Sequence, residues 1–239
     1  MLAPPTAAAQ GGSVLLEADV DGRPVGVGNL VLRPADTAKV SITVRNGTDT
    51  VQRVKTVRIS GSALALTFFA YDTTVPFDVP PRSAETRSFP LDPSDLGSQA
   101  TGLLPTTIEV IDVQRETIAS VETTGDVKGS LWSVYGAFGL GVLVLTALSW
   151  AGALIALARR RLPANRWQRA MRFLPAGIGT GLVAVISLSV LRLVAPSPAA
   201  EIPFIAGAAA AAFALGYLTP HQEERRRSSV DADTVRFAR

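Results

Sequence analysis

Two hydrophobic patterns divide this chain. Through residue 128 the apolar positions come in short runs, and the clearest of them alternates. Val40, Ile42 and Val44 are apolar, while Ser41, Thr43 and Arg45 between them are polar. A period of two sends successive side chains to opposite faces of a strand, one buried and one wet. Beyond Ser130 the alternation stops. The stretch 131–158 (LWSVYGAFGLGVLVLTALSWAGALIALA) carries no charged side chain, and it exceeds the roughly 20 residues needed to cross a bilayer core. Two more apolar stretches follow, 173–195 (FLPAGIGTGLVAVISLSVLRLVA) and 202–219 (IPFIAGAAAAAFALGYLT). The pattern therefore predicts strands first and three transmembrane helices second.

The strand half divides at turn signals. SVLLEADV, PVGVGNLVLRP, KVSITVRN, RVKTVRIS, ALALTFFAYD, TRSFPL, TTIEVIDV and ETIASVET are rich in Val, Ile, Thr and Phe. Asp21-Gly22, Asn46-Gly47, Pro80-Pro81 and Asp92-Pro93 mark breaks between them. That many short strands over 12–128 fits an all-β sandwich of immunoglobulin type. The segment PADTAKVSITVRNGTDT, with its V-x-I-x-V-x-N run, resembles the second-to-third strand region of bacterial immunoglobulin-like surface domains. The resemblance implies a fold and no particular function. Residues 80–105 are rich in proline and glycine and read as a short strand followed by a long loop, either a solvated crossover or a partner-binding loop. Glu85, Asp92 and Asp95 in that stretch lack the acidic spacing of a calcium loop.

The helical half carries the orientation signals. Trp132 and Tyr135 fall where one membrane interface is expected, and Arg159, Arg160 and Arg161 follow at the other. With Arg166, Arg169 and Arg172 they form a loop with no acidic residue, which predicts a cytoplasmic side and contact with anionic lipid headgroups. Part of 159–173 reads as a short helix lying in that interface. Gly136, Gly139, Gly141, Gly177, Gly181 and Gly207 are small positions in the spans that permit close helix packing. Gly177-Ile-Gly-Thr-Gly181 lacks the lysine and preceding strand of a phosphate loop. Arg192, near the outer end of the second span, either snorkels or pairs with Glu201. Residues 1–11 read as the end of a secretory signal peptide or a disordered leader, 129–219 as the three-helix region, and 220–239 as a disordered cytoplasmic tail. The expected placement is a bacterial plasma membrane, with the sandwich outside and the C-terminus inside.

Composition narrows the chemistry. The chain has no cysteine and one histidine, His221. Disulfides, thiolate metal sites and histidine clusters are therefore excluded. The formal charge of +3 is split between an acidic strand half and a basic helical half, so the arginines mark topology and do not form a nucleic-acid footprint. Glu109 and Asp112 fall at odd spacing on one strand, on opposite faces, and do not form a paired-carboxylate site. The reading is of a non-enzyme with no catalytic residue, no metal and no cofactor, whose partners are membrane lipids and other integral membrane proteins. Arginine preference over lysine and a high alanine content point to a GC-rich, actinobacterial source. A sandwich tied by a short linker to three small-residue spans is similar in layout to the small accessory subunits of Mce-type lipid transport complexes. That similarity implies an accessory or scaffold subunit. A homo-oligomeric pore and a ligand-sensing or adhesion protein are the alternatives.

Overall fold

The computed structural model describes residues 14–159 and 161–219. The leader and tail readings, and Arg160, lie outside the described residues. The chain divides into two compact units. One is Met1–Phe138 with Ile186–Ser197, and the other is Gly139–Val185 with Pro198–Arg239.

The first unit is built on two β-sheets arranged as a sandwich. Its strands are β1 (Val14–Val20), β2 (Arg23–Pro24), β3 (Leu30–Leu32), β4 (Ala38–Asn46), β5 (Gln52–Ala63), β6 (Leu66–Val79), β7 (Ser83–Leu91), β8 (Gly102–Asp112) and β9 (Thr117–Val127). One sheet runs β2-β1-β4-β7 and the other β3-β9-β8-β5-β6. Pairing is antiparallel except between β3 and β9. Val40, Ile42 and Val44 are fully buried, as their alternation requires, and Val57, Ile59, Leu104, Ile108 and Val110 supply the other sheet's share of the core. Asn46, at the end of the alternating run, is also buried. Its Nδ2 donates to the carbonyls of Thr50, Val79 and Pro80, and its Oδ1 accepts from Thr48. A buried amide is tolerated when its hydrogen bonds are made. Here they tie the β4–β5 turn to the end of β6.

Two stretches differ from the expectation. PVGVGNLVLRP holds only the three-residue strand β3, with Pro24 ending β2 before it, and Gly26 and Gly28 between them take φ of 92° and 80°. Most of 80–105 is ordered. Ser83–Leu91 is a full strand, a short helix α1 (Leu96–Gln99) follows, and β8 begins at Gly102. The prolines fit because of where they fall. Pro90 lies on β7, at a sheet edge, and Pro105 lies on β8 beyond Gly61–Thr106, the last pair with β5. A residue without an N–H belongs where no strand waits for one.

Three helices, α2 (Val134–Ala158), α3 (Arg166–Val190) and α4 (Pro198–Leu218), are each long and apolar enough to cross a membrane. The stretch read as an interfacial helix is continuous with the second span, running through Pro175 as one helix, and that helix ends at Val190 instead of residue 195. Proline 198 opens α4, the position where its missing N–H costs nothing. Of the three helices α3 is the most enclosed and α4 the least. Gly177 and Gly181 of α3 lie against the α4 backbone, Gly179 lies against Thr146 of α2, and Gly216 of α4 lies against Ala170 and Phe173 of α3. Trp150 of α2 donates from Nε1 to Thr180 Oγ1 at 3.0 Å.

Candidate functional site

A polar junction in the first unit gathers the end of β9, the start of β8 and the end of α3. The helix closes with Arg192 N–H on the Ser189 carbonyl and Leu193 N–H on the Leu188 carbonyl. This is the pattern of a Schellman cap, whose left-handed residue is usually glycine. Here that residue is Arg192, at φ 60°. A side chain in the left-handed region costs about 1–2 kcal/mol, and tertiary bonds hold it there. Arg192 Nε donates to Asp126 Oδ1 at 2.8 Å and Nη2 to the Val127 carbonyl at 3.3 Å. Lys128 Nζ donates to the other Asp126 oxygen at 2.7 Å. One turn back, buried Ser189 donates from Oγ to the Leu103 carbonyl at 2.6 Å. Next to Leu103, Gly102 has φ 92°, and a Cβ there would run into the Ser189 carbonyl oxygen and come within 2.8 Å of Val190 Cα. In the same unit, Phe68 of β6 packs edge-on to Tyr135 at 4.6 Å between ring centres and lies 5.7 Å from Phe138.

Burial pushes the Asp126 carboxyl up, but the hydrogen bonds from Lys128 and Arg192 outweigh it and hold the group below the usual carboxylate range. A depressed folded value means the pair stabilises fully above the ordinary carboxylate pKa. That contribution drains away as pH falls from there through the folded value. Asp126→Asn should therefore cost about 1–2 kcal/mol at neutral pH. The cost stays below that of a fully buried pair because Arg192 and Lys128 remain 36% and 40% exposed. Melting curves in detergent across pH check this, since the gap between wild type and variant should close at acid pH. A gap independent of pH would refute it.

The structure distributes the sequence candidates differently. Arg192, read from the sequence as either snorkelling or pairing with Glu201, forms an ion pair with Asp126; Glu201 sits in the first turn of α4, where an acidic side chain suits the helix dipole. Arg159, Arg161, Arg166 and Arg172 are exposed. Arg169 departs from the lipid-contact reading: it is 2% exposed, and its Nη1 donates to the carbonyls of Pro163 and Ala164, closing the α2–α3 turn. Gly177 and Gly181 sit at helix contacts, Gly136 packs on the Leu131 carbonyl, and Gly139 is half-buried in α2. Gly141 and Gly207 face open space. Asp126, Ser189, Gly102 and Phe68 belong to no motif in the sequence. The only local signal was an acid–base pair, Asp126 and Lys128, immediately before the linker.

Neither a family profile nor a curated protein matches the chain. Among solved structures, a Niemann-Pick type C2 protein from Japanese carpenter ant is 10% identical, covering 52% of this chain and 96% of its own, at a TM-score of 0.38. The sporulation control protein Spo0M from Bacillus subtilis is 11% identical, covering 55% of this chain and 56% of its own, at 0.35. A CARDB domain from Pyrococcus furiosus is 13% identical, covering 47% and 93%, at 0.27. At such scores these likenesses carry no weight for fold or function.

Proposed function

We propose that this chain is a non-catalytic integral membrane accessory or scaffold subunit of a larger cell-envelope complex. The observation that supports it most is the state of its helix faces. A Cβ added at Gly141 on α2 or Gly207 on α4 would meet open space, and α4 is alanine-rich and mostly exposed. Small residues give little to lipid but let another helix approach closely. The sandwich is read as immunoglobulin-like. The order β9-β8-β5-β6 follows the G-F-C-C′ sheet of such domains, and β1-β4-β7 follows A-B-E. The sandwich lies outside the plasma membrane and the arginine-rich loop inside, in keeping with the charge distribution. Lipid transport is the complex type that the layout favours, and an actinobacterial envelope its setting.

Gly207→Leu tests the reading. Open space at this position leaves the chain's own fold and melting temperature unchanged, while a companion seated on that face is pushed off. Purification in gentle detergent with mass spectrometry should show the companion's recovery fall about tenfold, the effect of roughly 1.4 kcal/mol. A wild-type chain that purifies as a clean monomer overturns the proposal. Ion or lipid flux through vesicles holding this chain alone would replace it with a pore.

A further inference from the structure

The β5–β6 hairpin is built unlike the rest of the sandwich. From Ile59 to Tyr71 it carries no charged side chain. Arg58 and Asp72, paired across the ladder at 2.7 and 2.8 Å, are the last charges before the tip. β8 accompanies β5 only as far as Gly61, and beyond it the hairpin continues alone through Ser62–Thr67 and Ala63–Leu66. The two-residue turn is Leu64-Ala65, with φ 52° and 60°. Positive φ at both positions is a type I′ turn, whose favoured residues in water are Asn-Gly. Leucine and alanine there are strained, and they lead into Leu66, which is 47% exposed. An unaccompanied, uncharged hairpin with a leucine–alanine turn gains nothing from water.

Its neighbours identify the solvent. Two residues after Leu66, Phe68 packs on Tyr135 and Phe138 in the first turns of α2. Leu131, Trp132 and Val134, where the chain enters α2, are 67%, 84% and 59% exposed. An exposed tryptophan beside an apolar helix start belongs at headgroup depth. The geometry points to a membrane-dipping hairpin: Ala65 and Leu66 enter the bilayer leaflet beside the start of α2, as a second contact between the sandwich and lipid. The occupant is the headgroup–acyl boundary, at the roughly 5–10 Å depth that interfacial apolar elements reach. The inference rests on the reading of α2 as a span.

The test uses the full chain in vesicles of phosphatidylethanolamine and phosphatidylglycerol. Since the sequence has no cysteine, Leu66→Cys offers a single site for a nitroxide. Collision with oxygen, which concentrates in lipid, is compared with collision with a water-soluble nickel chelate. Leu145→Cys, at an exposed position within α2, and Val113→Cys, in the β8–β9 turn, are the references. The oxygen-to-nickel ratio at 66 should exceed that at 113 several-fold and approach that at 145. A ratio at 66 equal to that at 113, with 145 in lipid, overturns the hairpin alone. Water at 145 overturns the span, and the hairpin with it. Protection of 66 from both reagents means that protein covers the tip, which also overturns the proposal.

Discussion

Gly181→Leu will drive α3 and α4 apart. A Cβ at this position meets Ile205 Cα at 2.5 Å, Phe204 O at 2.8 Å and Ile205 N at 3.0 Å, all of them backbone atoms. Backbone cannot rotate aside as a side chain can. Gly177, one turn earlier on the same face, meets Ala212 Cβ at 2.5 Å and Ala208 O at 2.7 Å, so the helices have no neighbouring slack to take up. Overpacking a well-filled contact costs about 1–3 kcal/mol, and contact against backbone places this variant at the upper end. For a chain of this size that lowers Tm by about 6–12 °C. The same substitution at Gly207 should leave Tm where it was. Equal melting of the two variants in detergent would show that α3 and α4 do not meet at Gly181.

A methyl group at Gly102 is expected to do comparable damage at a different place. Gly102→Ala forces a side chain into φ 92° and against the Ser189 carbonyl and Val190 Cα. The strain alone is about 1–3 kcal/mol. The collision then displaces the end of α3, which loosens the Ser189–Leu103 bond and the Arg192–Asp126 pair. A total near 3 kcal/mol follows, and it has a signature that simple strain lacks. Combined with Asp126→Asn, the loss should be smaller than the sum of the two single losses, because both act on one junction. Thermal denaturation of the single and double variants measures this. Strict additivity would mean that Gly102 and Asp126 act independently.

The sequence made the strands of the core legible where burial is one-sided. β4 alternates because one face is dry, and the alternation alone named Val40, Ile42 and Val44. It failed where edges relax the rules: β7 and the start of β8 contain prolines that an interior strand would reject, so their composition reads as loop. Helices were legible as long apolar stretches, but their ends were not. Arg192 looks like part of a span because it follows apolar residues, yet it is the cap after the last turn, in a conformation no propensity announces. Arg169 looks like its exposed neighbours and is buried. The junction was the least legible part, since a carboxylate on β9 and a guanidinium after α3 share no local pattern. Only folding brings them together, and the glycine that admits the helix end lies on a third element.

The Arg192–Asp126 bond also sets an order in time. Asp126 leaves the ribosome 66 residues ahead of Arg192, which at about 5–20 residues per second is a wait of roughly 3–13 s. During that interval the sandwich strands are all made but the clasp on β9 is open. It closes only after α2 and α3 have both been synthesised and α3 has ended on its left-handed turn. A chain stalled between α2 and α3 therefore carries all nine strands with no Arg192 guanidinium on Asp126.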